Sequence, residues 1–118
     1  MKIGLKTDPD VIELIGELKI AGREKNIWKD VAERLEKPRG QRPQINVGKI
    51  ANEIRGDEIA LVPGKVLGAG VVNRGVRVAA LSFSDVAYQK LLESGSEAIS
   101  IGELLKSNPE VSKIRILR

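Results

Sequence analysis

Cysteine and histidine are both missing from this 118-residue sequence. Without cysteine there are no disulfides, thiolate metal sites or thiol nucleophiles. Without histidine the commonest general base and the commonest nitrogen ligand for metals are gone. Asp, Glu or Lys could still act on a substrate, but no nucleophile–base pair or metal-ligand set stands out. No catalytic residue, cofactor or metal is expected. Aromatic residues are scarce, Trp28, Phe83 and Tyr88 being the whole set. Modules that read single strands stack bases on aromatic rings, so that class is disfavoured. No apolar run approaches a membrane span, and the opening MKIGLKTDPD lacks the apolar core of a signal peptide. The expectation is a soluble, cytoplasmic protein with no membrane partner.

What the sequence does have is aliphatic. Hydrophobic residues make up 42% of it, enough for one packed interior. The net charge of +4 is modest, but the bases are unevenly spread. The sixteen residues between Glu36 and Glu53 hold no acid and four bases, Lys37, Arg39, Arg42 and Lys49. The twenty-six between Glu58 and Asp85 hold no acid and three bases, Lys65, Arg74 and Arg77. The eight after Glu110 add Lys113, Arg115 and Arg118. Such segments suit a polyanion, and these ten bases are the candidate nucleic-acid contacts.

Periodicity sets the organisation. Thr7 and Asp8 before Pro9 predict a helix start, and Val11, Leu14, Ile15 and Leu18 form its apolar stripe, ended by Gly22. A second helix opens near Asn26, with Trp28, Val31, Ala32 and Leu35 on its inner face and Pro38 as its stop. The stretch Pro38–Gln44 has two prolines and no apolar face, so it predicts an extended, exposed loop. Asn46 predicts a cap for a third helix carrying Val47, Ile50, Ala51 and Ile54. Short β-like runs follow at Ile59–Val62, Val66–Leu67 and Val76–Leu81, with tight turns expected at the intervening prolines and glycines. Ser84 caps a helix expected to point Val86, Ala87, Leu91 and Leu92 inward. Ala98–Ile99 reads as a strand, Ser100 and Glu103 as a capping box, Asn108-Pro109 as a helix stop, and Ile114 and Ile116 as a strand with a basic edge. The expected organisation is one domain, 1–118. Its first part, 1–56, is mainly helical with a basic loop at 37–45, and 57–118 form an α/β core. No obligate homo-oligomer is expected.

The segment Gly64-Lys65-Val66-Leu67-Gly68-Ala69-Gly70 invites a nucleotide-binding reading. A phosphate-binding loop needs glycine where Ile59 stands and Ser or Thr where Val66 stands; a dinucleotide fingerprint needs glycine where Asn73 stands. The competing readings are glycines that supply turns and glycines that let bare backbone, with Lys65, approach RNA phosphate. Trp28 falls in phase with the core stripe. Glu13 and Glu17 read as a solvated face rather than a metal site.

Several stretches, taken in order, resemble one family. They are Trp28–Arg39 (WKDVAERLEKPR), Asn46–Ile50 (NVGKI), Val62–Gly70 (VPGKVLGAG), Val76–Ser84 (VRVAALSFS) and Ile114–Arg118 (IRILR). Together they resemble the archaeal and eukaryotic large-subunit ribosomal protein eighteen-e family, whose bacterial relative is large-subunit protein fifteen. The resemblance implies a non-enzymatic constituent of the large ribosomal subunit that binds large-subunit ribosomal RNA beside neighbouring ribosomal proteins. It implies an α/β fold in which a helical N-terminal region precedes short strand pairs and helices in an irregular ββα superhelix. It also implies that Lys37, Arg39 and Arg42, with Lys65 and Arg118, face RNA. Two alternatives stand beside it: a nucleotide-binding protein using Gly64–Gly70, and an RNA-binding factor outside the ribosome.

Overall fold

A computed structural model describes residues 9–118. The expected cap from Thr7 and Asp8 lies outside the described residues. Contacts divide the chain after Gln41 into two compact units, each with its own interior.

The first unit is a helix pair. Helix α1 (Pro9–Ala21) buries Leu18 and half-buries Val11, Leu14 and Ile15. Helix α2 (Asn26–Leu35) buries Trp28, Val31, Ala32 and Leu35, the face its periodicity marked, and packs on α1. Trp28 is therefore a core residue. The turn between the helices is tight because Gly22 lies against the start of α2. A Cβ at Gly22 would come within 2.8 Å of the Lys29 amide nitrogen, so any other residue would force the helices apart.

In the second unit the elements run β1 (Gln44–Asn46), α3 (Val47–Glu53), β2 (Ile59–Leu67), β3 (Arg77–Phe83), α4 (Asp85–Glu93), β4 (Glu97–Ser100), α5 (Ile101–Lys106) and β5 (Ile114–Ile116). Every strand pairing is parallel, so the class is α/β as the sequence implies. β2 is the axis. β3 lies along one edge of it. The other edge is shared between β5, opposite Ile59–Leu61, and β1, opposite Lys65–Leu67. β4 extends the sheet beyond β3.

Handedness then assigns the helices to faces. The steps β1-α3-β2 and β3-α4-β4 move across the sheet in one direction. Right-handed crossovers therefore place α3 and α4 on the same face. Their Val47, Ile50, Ile54, Ala87 and Leu91 form one buried cluster with Ala60, Val62, Val78 and Ala80 of the sheet. The step from β4 to β5 runs back past β3 and β2, which sends α5 to the opposite face. There Ile101 and Leu104 are buried on the side to which alternation turns Leu61 and Ala79. Each large aliphatic side chain so buried contributes roughly 1.5–3 kcal/mol.

Three expectations are corrected. First, Pro63-Gly64 is not a turn between strands. β2 runs through it, and the pairing with β3 slips between Val62 and Lys65. Such a bulge is where a strand with neighbours on both edges can carry a proline, since the missing N–H falls where the ladder is already broken. Second, Pro38–Gln44 is not uniformly extended: Arg39–Gln41 form a 3-10 turn, and Gln44 already belongs to β1. Third, Val86 and Leu92 of α4 face solvent, leaving Ala87 and Leu91 as its buried residues. The Ser84 cap is present, its hydroxyl accepting from the Ala87 amide at 3.1 Å. So is the Ser100–Glu103 capping box. Asn108 takes a left-handed conformation, φ 49°, ahead of Pro109, which ends the run after α5.

The connection from β2 to β3 sets up the site. Arg77 pairs beside Ile59, so the chain must return the length of β2, about 26 Å at ~3.3 Å per residue. Ten Cα steps span at most about 33–36 Å. Residues 68–76 thus run back along the sheet in largely extended form, with bends at Gly70 and Arg74 and too little length for a helical crossover.

Candidate nucleic-acid interface

α2 ends at Leu35, and Pro38 prevents its continuation. The 3-10 turn that follows is closed by the Gln41 amide, which donates to the Pro38 carbonyl at 2.8 Å. Lys37 and Arg39 are both exposed on this short, proline-braced segment. Neither has an ion-pair partner among the described residues. Arg42, at the start of the sheet unit, is half-buried.

Lys65 is held differently. The carbonyl of Pro43 accepts from its amide at 3.1 Å, fixing the register that sets Gln44, Lys65 and Ser82 side by side across β1, β2 and β3. All three are exposed, so Lys65 stands in a polar row on a rigid sheet. It has no acid partner among the described residues, and neither does the exposed Arg118.

The other five bases are engaged by the fold. Arg77 and Glu97 are direct neighbours on β3 and β4, Nε to Oε1 at 2.8 Å. Lys49 sits 3.8 Å from Glu53 on the next turn of α3 and donates to the Arg118 backbone oxygen at 3.2 Å. Arg115 lies 4.0 Å from Glu58. Lys113 bonds Asp57 directly and stands 3.7 Å from Glu110. That hydrogen bond, with the attraction between the charges, holds the Asp57 carboxyl below the usual carboxylate range and the Lys113 ammonium above the usual amine range. Arg74 reaches from the stretched connection to the end of α3, where it donates to the Ala51 carbonyl at 2.9 Å and to that of Ile54. These carbonyls have no further helical turn to pair with, so Arg74 acts as a side-chain cap.

Segments free of acids in sequence are therefore not free of them in space. Conversely, five bases that sequence reasoning passed over, Arg23, Lys25, Lys29, Arg55 and Lys106, are exposed and without an acid partner among the described residues. Acids beside them in sequence, such as Glu24 and Asp30, hid them. Helical phase could have separated some, because Asp30 pairs with Arg34 at i,i+4, 3.1 Å, and leaves Lys29 alone.

The glycine segment is filled by the protein itself. A Cβ at Gly64 would fall 2.0 Å from the Pro43 carbonyl oxygen, and one at Gly68 would fall 2.5 Å from Cγ1 of Val86. Gly70 and Gly48 cross almost in contact, each 2.6–2.9 Å from where the other's Cβ would begin. Gly70 also needs its freedom for φ 97°. Two hydrogen bonds tie the segment to the start of α3. Gly48 donates to the Ala69 carbonyl at 3.0 Å, and Ala69 donates to the Asn46 side chain at 3.2 Å. Asn46 thus clamps the glycine segment instead of capping α3 with its side chain, as its position predicted. Lys90 occupies the Gly70 carbonyl at 2.8 Å. Close approach is the reason for these glycines, and the approaching backbone is the chain's own. Among the described residues no charged or polar side chain is buried and no group of potential metal ligands gathers. No helix is long and apolar enough to cross a membrane.

The described residues form an α/β scaffold with exposed bases, and comparison with known proteins gives the class: a constituent of the large ribosomal subunit. The chain belongs to the large ribosomal subunit protein eL18 family. It is 50% identical over 115 residues to the eL18 protein of Methanospirillum hungatei, covering 96% of this chain and 95% of the relative. It is 45% identical to that of Haloarcula marismortui (96% and 98% covered) and 48% identical to that of Methanopyrus kandleri (94% and 93% covered). No family model matches the chain. The eighteen-e resemblance is thereby established, and the protein is a non-enzymatic component of the cytoplasmic ribosome.

Proposed function

We propose that the chain binds large-subunit ribosomal RNA by neutralising phosphates with exposed bases, and so supports the subunit that carries out translation beside neighbouring ribosomal proteins. The observation that carries this reading is the pair Lys37 and Arg39, exposed on a stiffened turn with no acid partner among the described residues. Arg39 can hold two phosphate oxygens at once through its planar fork, and the prolines reduce the entropy lost on docking. Lys65 and Arg118 join them as available cations.

Lys49, Arg77, Lys113 and Arg115 bind RNA only by exchanging an acid partner for phosphate. Each exchange also leaves the released carboxylate beside the phosphate, so these contacts are weaker than those of the free bases. Arg42, half-buried, is a candidate contact by its position in the basic 37–45 segment. Arg74 contributes through the fold, since its guanidinium is committed to the end of α3.

The test is binding of the protein to a fragment of large-subunit ribosomal RNA across a salt series. The double substitution Lys37→Ala, Arg39→Ala is expected to lower affinity and to reduce the log–log salt slope by about 1.4–1.8, two phosphates at ~0.7–0.9 each. The double substitution Arg77→Ala, Lys113→Ala is expected to change the slope by less than half as much. An unchanged slope in the first variant refutes the assignment of that turn.

A further inference from the structure

α1 has a second apolar stripe that its own unit does not use. Opposite the buried Leu18, residues Ile12, Gly16 and Ile20 recur at i, i+4, i+8, with Ile12 55% and Ile20 61% exposed. Gly16 has no internal reason to be glycine. Its backbone is ordinary helix, and nothing lies within 4 Å of where a Cβ would sit. Glycine inside a helix is less favourable than alanine, so folding alone selects against it there. The stripe is edged by Glu13 and Glu17, neither in an ion pair among the described residues. On the other side Lys19 is neutralised by Glu36 at 2.6 Å. The face therefore combines two exposed aliphatic side chains, a notch between them that exposes backbone, and a negative rim.

We propose that this face docks a basic, amphipathic segment of a neighbouring large-subunit protein. The segment's backbone crosses α1 at Gly16, its apolar side chains cover Ile12 and Ile20, and its Lys or Arg residues face Glu13 and Glu17. RNA does not fit, because the carboxylates repel phosphate and the stripe offers no aromatic ring for stacking. A second copy of the chain fits poorly, since it would bring the same carboxylates to the contact. The inference rests on residence in the large subunit, not on the RNA contacts of Lys37 and Arg39.

A photo-crosslinking benzophenone amino acid in place of Ile12 or Ile20, in the full chain assembled into large subunits, tests it directly. Irradiation and mass spectrometry are expected to identify a peptide of a neighbouring ribosomal protein with net positive charge and apolar residues. A crosslink to RNA, to an acidic peptide, to the chain itself or to a second copy overturns the proposal, as does none. Gly16→Leu keeps the isolated protein folded with an undiminished melting temperature, yet is expected to cut the crosslink yield about ten-fold. An undiminished yield overturns the crossing point. These crosslinks persist if the turn at Lys37 and Arg39 proves not to touch RNA, so the two readings fail separately.

Discussion

Gly64→Ala separates a glycine required by the fold from a glycine kept for RNA. The new Cβ would begin 2.0 Å from the Pro43 carbonyl oxygen and 3.1 Å from the Pro43 carbonyl carbon and nitrogen. All three are backbone atoms, so no side chain can swing aside. Relief requires β1 to move away from β2. That loses the hydrogen bond from the Lys65 amide to the Pro43 carbonyl, about 1 kcal/mol. It also uncovers Ile45, now buried, at about 1.5–3 kcal/mol. The expected destabilisation is about 3 kcal/mol, which for a domain of this size lowers the melting temperature by roughly 12 °C or more. Urea unfolding followed by circular dichroism measures the first quantity and a thermal scan the second. Gly40→Ala is the control, since a Cβ there meets nothing. A loss below about 1 kcal/mol, within reach of an ordinary surface substitution, refutes the close-packing argument. Retained stability with lost RNA affinity would mean that the bare backbone serves the RNA after all.

Two further outcomes follow from named contacts. Arg74→Ala should destabilise the sheet unit by about 1–2 kcal/mol in urea, less than the roughly 3 kcal/mol or more of two buried charge-assisted bonds because the side chain is exposed, with Arg74→Lys in between. Ser100→Ala removes the hydroxyl from the α5 capping box and should cost about 1 kcal/mol. The Ser100 amide, and then its hydroxyl, hold the Glu103 carboxyl below the usual carboxylate range. That contribution is full above the unfolded value, about 4.3, and is lost as pH falls through the depressed folded value. Comparing urea midpoints at neutral and acid pH, Glu103→Gln should show a smaller loss on acidification than the parent protein.

Much of the fold was legible because its signals are local. The α2 stripe, the Ser84 cap, the Ser100–Glu103 box and the Asn108-Pro109 stop each depend on residues within a turn or two, and each is present. What failed depends on partners distant in sequence. Pro63-Gly64 signals a turn by local propensity. It becomes a bulge because β3 pairs on one side and β1 on the other, the latter resting on Pro43, about twenty residues earlier. Asn46 has the composition of a cap, yet the Ala69 amide, twenty-three residues away, takes its side chain. Val86 and Leu92 are apolar and close to the inward positions in sequence, but the sheet face covers only Ala87 and Leu91.

The site was legible to the same degree and for the same reason. Counting acids along the chain treats charge as a local property, but a parallel sheet brings together residues some twenty or more positions apart. Arg77 finds Glu97 because β3 and β4 pair in that register, and Lys113 and Arg115 find Asp57 and Glu58 because β5 returns to the start of β2. A base escapes such pairing where the chain leaves regular structure or where its row across the sheet is polar and uncharged. Lys37 and Arg39 meet the first condition and Lys65, between Gln44 and Ser82, meets the second. The same reasoning turns the acids into evidence. Glu13 and Glu17 remain unspent beside an aliphatic stripe, so unsatisfied charge of both signs is present among the described residues. RNA can discharge only one of them. A component built into a ribonucleoprotein meets both kinds of neighbour, and under the two proposals above the cationic turns go to phosphate and the acidic helix face to protein.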